Sequence, residues 1–116
     1  MFFGGIETVW LYPLAVDFRK QMDGLIMLVA DTLSLAPQSG DVFLFRNRQG
    51  NKLKLLWWNG NSFWLFYNRL EKGRYILPEG DTSAQRISRD ELSVLLTGLD
   101  YRQKGYIKGV QAQHYF

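Results

Sequence analysis

A single histidine, His114, and no cysteine occur in this chain of 116 residues. Thiolate nucleophiles, cysteine-ligated zinc and disulfides are therefore outside its chemistry. His114 stands near the end of the chain without an Asp or Ser neighbour, whereas metal sites need several ligands and a nucleophilic triad needs oriented partners. Asp17 and Asp23 lie six positions apart, off the i,i+3 or i,i+4 spacing that sets two carboxylates on one helical face. Neither GxGxxG nor GxxxxGK followed by Ser or Thr is present, so no glycine-rich phosphate loop is visible. These absences give a non-enzymatic reading, with no metal and no cofactor expected.

What the residue types do support is recognition of an anion. Between Arg46 and Arg74 seven cations (Arg46, Arg48, Lys52, Lys54, Arg69, Lys72 and Arg74) face one anion, Glu71, in a chain whose formal net charge is only +3. The rest of the chain is thus net acidic. Rings interleave with these cations at Trp58, Phe63 and Tyr67. Cations neutralise phosphates and ring faces stack on bases, which is how nucleic-acid surfaces are built. The same pattern also suits two plainer roles. Lys and Arg protect aggregation-prone strands while their stems cover apolar surface, and exposed aromatics with Arg are enriched at protein interfaces.

The element that must position these groups is a β-hairpin. Asn59-Gly60 readily takes the two positive φ angles of a type I′ turn, which would pair Trp58 with Asn61. The period of two then puts Leu53, Leu55, Trp57, Trp64 and Phe66 on one face, facing the core. Lys52, Lys54, Leu56, Trp58, Phe63, Leu65, Tyr67 and Arg69 fall on the other. Val42 to Phe45 lacks polar alternation and reads as a central strand covered on both sides. The spacing predicts an antiparallel meander of Val42–Phe45, Lys52–Trp58 and Ser62–Leu70, continued by Arg74–Leu77 and stopped by Pro78.

Around this meander, Thr8–Tyr12 reads as an edge strand ended by Pro13, and Asp17 as the cap of a helix over residues 17–35. Phe18, Met22, Leu25, Ile26, Val29 and Leu33 recur there at helical spacing. Arg19 and Lys20 would fall in its first turn, where the helix dipole disfavours cations; an anionic partner or plain solvation would each account for them. Gly24 inside the helix implies a close neighbour. Residues 79–85 read as a loop. Ser88 and Glu91 form a capping box that opens a helix at Arg89, with Leu92, Leu95, Leu96 and Leu99 as its stripe and Gly98 near its end.

The expected fold is α+β: an antiparallel β-meander of about four to five strands with two helices, in one domain over residues 1–116. The tail, 103–116, is expected to be loosely ordered or docked on a neighbour. Hydrophobic residues at 47% suffice for a core without metal or disulfide support. No signal peptide or membrane span is visible, so a cytoplasmic protein is expected.

Four blocks resemble one family. Asp17-Phe18-Arg19-Lys20-Gln21-Met22-Asp23-Gly24-Leu25 is similar to the D-M-R-K-x-x-D-G-L signature of the accessory protein, TnpB or second-open-reading-frame type, of insertion sequence family sixty-six. Gly40 to Arg48 resembles its G-x-x-F-x-F-x-x-R block, Lys52 to Trp58 its K-x-L-x-W segment, and Arg69 to Tyr75 its R-L-E-x-G-x-F block. The order holds from about residue 7 to residue 102. Departures are Phe18 for Met, Gln21 for Gly, Asn59 where an acidic residue is common, and Tyr75 for Phe.

The resemblance implies an accessory role in transposition beside a separate transposase. Within that context the expected partner is DNA at the element ends, held by Lys52, Lys54, Arg69, Lys72 and Arg74, with Arg46, Arg48, Arg19 and Lys20 as outer contacts. The alternatives are an adaptor that binds the transposase through Trp58, Phe63 and Tyr67, and a homodimer that buries this face on itself.

Overall fold

The computed structural model describes residues 6, 8–77 and 83–98. It contains β1 (Val9–Leu11), α1 (Met22–Met27) continued by a π-helical turn (Leu28–Thr32), β2 (Val42–Arg46), β3 (Lys52–Trp58), β4 (Phe63–Arg69), β5 (Gln85–Ile87) and α2 (Arg89–Leu96). The strands form one sheet in the order β4-β3-β2-β1-β5, and the fold is α+β as expected.

The uniformly apolar Val42–Phe45 run lies at the middle of that sheet and is buried on both sides. Its alternate residues feed two cores. Val42 and Leu44 join Leu53 and Leu55 with Leu92, Val94 and Leu95 of α2, while Phe43 and Phe45 join Leu56 with Leu25 of α1 and Val29. The helices therefore cover opposite faces. Each fully buried Leu or Phe contributes roughly 1.5–3 kcal/mol, which makes this double-sided strand the centre of stability.

Four expectations about the sheet need correction. The β3–β4 connection is a four-residue loop, with Trp58 paired to Phe63 and not to Asn61. Asn59 organises it, since its Oδ1 accepts from the backbone N–H of Asn61 and of Ser62, both at 2.9 Å. The register thus moves by two residues, a full period, so every side chain keeps the face expected of it; Trp64, expected on the core, is nonetheless 42% exposed, whereas Leu56 on the other face is fully buried beneath α1. β1 is internal, not an edge, running parallel to β2 and antiparallel to β5. Parallel neighbours need a long crossover, and α1 with its flanking turns supplies it. Arg74–Leu77 is not a strand; it turns under the β2–β3 loop, where Tyr75 N–H donates to the Gly50 carbonyl at 2.8 Å. The fifth strand is β5, part of which falls in the stretch expected to be a loop.

α1 begins at Met22, five residues after the expected cap. Asp17 instead closes a turn: its side chain accepts from Arg19 N–H, and its carbonyl accepts from Lys20 N–H, each at 2.9 Å. Gly24 has no tight neighbour, because an added Cβ would meet only the Lys20 stem at 3.5 Å. α2 begins where expected, with both capping-box bonds between Ser88 and Glu91 formed. Leu99 and the tail lie outside the described residues.

Candidate nucleic-acid interface

Antiparallel pairing brings the end of β2, the start of β3 and the end of β4 to one end of the sheet. Arg46 lies opposite Leu53, and Lys52 lies directly opposite Arg69. The chain after β4 then folds beneath the β2–β3 loop: Leu70 N–H donates to the Asn51 carbonyl, and the Arg74 stem rests about 3.9 Å from where a Gly50 Cβ would be. Arg46, Arg48, Lys52, Arg69, Lys72 and Arg74 consequently gather around one sheet end, with Glu71 among them.

The loop that carries Arg48 is held by an amide that no motif in the sequence singles out. Asn47 is buried; its Nδ2 donates to Asn51 Oδ1 at 2.8 Å, and its Oδ1 accepts from Asn51 and Lys52 N–H at 3.1 and 3.0 Å. Gly50 takes a positive φ of 74° to close the turn. The signal that could have found it is Asn47 followed by Gly50-Asn51, since Asn side chains readily substitute for backbone in turns.

Lys54 does not join the phosphate set. It is only 5% exposed, and its Nζ donates to the carbonyls of Phe18 at 2.9 Å and Lys20 at 2.8 Å while lying 4.9 Å from the Phe18 ring centre. Burial pushes its pKa below the usual lysine value. This cation is spent on holding the 17–20 turn against β3. Two others have anionic partners: Arg19 pairs with Asp17 at 2.6 Å and Arg69 with Glu71 at 2.7 Å. The Arg19 hydrogen bonds hold the Asp17 carboxyl down to about 2. All four side chains are at least half exposed, so phosphate can compete for both guanidinium groups. Lys20 is exposed on the turn that Lys54 anchors.

Rings and cations separate along the hairpin. Trp58 and Phe63, with ring centres 4.8 Å apart, flank the 59–62 loop at the end opposite Lys52. Six residues of strand put them roughly 20 Å from Lys52. Tyr67 alone of the expected rings sits among the cations; it is 54% exposed and contacts Phe18 edge-on at 6.2 Å. A groove of about 380 Å³ opens beside Phe18, lined by Ala15, Val16, Asp17, Asn47, Arg48, Gln49 and Lys52.

Among the described residues no group of three metal-ligating side chains exists, and no helix is long and apolar enough to cross a membrane.

A family model described as "IS66 Orf2 like protein" matches residues 7–106. Two curated relatives come from Sinorhizobium fredii (strain NBRC 101917 / NGR234). "Uncharacterized protein y4hO" is 38% identical over 94 residues, covering 81% of this chain and 82% of the relative. "Uncharacterized protein y4jC" is 38% identical over 86 residues, covering 74% of each. No solved structure matches significantly.

Proposed function

The chain belongs to the IS66 Orf2-like family of insertion-sequence accessory proteins, and from that premise we propose that it serves transposition in the cytoplasm as a non-catalytic DNA-binding protein. The observation that carries this reading is the meeting of six cations at one sheet end, against two carboxylates there, Glu71 on Arg69 and Asp17 beside Arg48 and Lys52. Lys52 and Arg69 stand directly across from each other, a like-charge pair that the exposed Glu71, 2.7 Å from Arg69, offsets only in part. In this reading DNA phosphates at the element ends supply the remaining countercharge. Arg46, Arg48, Lys52, Arg69, Lys72 and Arg74 make the contacts, with Lys20 and Arg19 at the margin and Lys54 positioning the turn that carries them.

Fluorescence anisotropy with a labelled duplex tests this. Arg48→Gln and Lys52→Gln should each weaken binding on every sequence and make the salt dependence shallower by about 0.9 per lost contact. Arg86→Gln, on β5 and away from this end, should leave affinity unchanged. Equal losses in all three variants would mean that only overall charge matters, and the proposed surface would be wrong.

A second reading, an adaptor for the transposase, is favoured by the Trp58–Phe63 pair at the far end of the hairpin. A partner seated there would leave the cations open to DNA. Trp58→Ala should then abolish capture of the transposase without altering DNA affinity; capture at the wild-type level would remove this reading.

A further inference from the structure

We propose that the basic sheet end is a single-strand site, in which Tyr67 stacks on an unpaired base while Arg48, Lys52 and Arg69 hold the adjoining phosphates. The inference rests on the DNA-binding reading above and names the form of DNA it selects. Tyr67 is more than half exposed on the strand face that also carries Arg69, and Lys52 stands diagonally across from it on β3. The ring is not loose: Phe18 meets it edge-on at 70°, and Lys54 fixes Phe18 by taking its carbonyl and lying over its ring. A propped, exposed ring between cations is a stacking platform, and bases already stacked in a duplex cannot use it.

The neighbouring groove extends the platform. Its apolar side is Val16 and Phe18, its polar side is Asn47, Arg48, Gln49 and Lys52 with the Arg19-paired Asp17 carboxylate, and its volume falls in the range of roughly 300–1,000 Å³ typical of small-ligand sites. It is therefore large enough for a splayed nucleotide beside the one on Tyr67. Duplex readout has less support. α1 has six residues and α2 eight, with Asp90 and Glu91 in its first turn, so among the described residues no basic helix is available for a major groove.

The test is anisotropy on a fluorescein-labelled thymidine 12-mer and on a duplex of equal length, at matched salt. The single strand should bind about tenfold more tightly, and Tyr67→Ala should remove about tenfold of single-strand affinity while changing duplex affinity less than about twofold. Tyr67→Phe, which keeps the ring face, should bind as wild type does. Equal affinity for the two DNAs, or a Tyr67→Ala loss shared by both, would overturn the single-strand inference and leave phosphate binding standing. Absence of binding to either DNA at low salt would overturn both.

Discussion

Lys54 shows how one residue can carry the right chemistry for one role and be used in another. Alternation along β3 assigns it correctly to the face of Leu56 and Tyr67, opposite Leu53 and Leu55. What alternation cannot supply is the turn from 34 to 36 residues earlier in the chain whose two carbonyls receive its ammonium. Lys54→Met should therefore lower stability by about 1–3 kcal/mol in urea denaturation, since both carbonyls lose a buried donor. Its DNA salt slope should stay that of wild type, because a buried cation releases no counterion. Tyr75 gives a pH signature on the other sheet face. Its hydroxyl donates to Asn68 Oδ1, and burial pushes its pKa up to about 12. With the folded value above the unfolded one, this stabilisation is whole below about pH 10 and is lost as pH rises through about 12. Tyr75→Phe should flatten that alkaline limb in urea midpoints measured from pH 9 to 12.

At the scale of elements, signals contained within one stretch are legible and those that depend on distant partners are not. The apolar β2, the alternation of the β3–β4 hairpin and the Ser88 capping box can all be read from spacing, but not which positions of the hairpin are buried, since α1 covers Leu56 while Trp64 lies 42% exposed. The hairpin faces come out right despite the wrong loop length because Asn59 lengthens the turn by an even number of residues. β1 does not lie at the expected edge, although strand, helix and strand follow one another there, the pattern of a parallel crossover. β5 is three residues long and, among the described residues, pairs with β1 alone, so its sequence holds little periodicity to detect. The late start of α1 follows from competition: Asp17 and Lys54 draw residues 17–20 into a turn before the helix can include them. Gly24 then sits in a short helix with room for a methyl group, so Gly24→Ala should raise stability by up to about 1 kcal/mol. Ser88→Ala should lower it by about 1 kcal/mol, as one orphan N–H of α2 loses its acceptor.

Over the whole molecule, the charge excess read from residues 46–74 is real but polar in its placement. Pairing sends the cations to one end of the sheet and Trp58 and Phe63 to the other, while α1 covers the middle of the face that carries Lys54 and Tyr67. That separation is a property of strand direction and helix packing, and net charge alone does not reveal it. Glu71 tempers the basic end by occupying Arg69, so Glu71→Gln should strengthen DNA binding and steepen its salt dependence. The most direct test of the DNA surface is the dependence of duplex affinity on salt for the wild type and for a variant combining Arg48→Gln, Lys52→Gln and Arg74→Gln. Three lost phosphate contacts should reduce the slope of log Kobs against log salt by roughly 2.7, with weaker binding at every concentration. An unchanged slope and affinity would show that DNA, if bound at all, is held elsewhere on the protein.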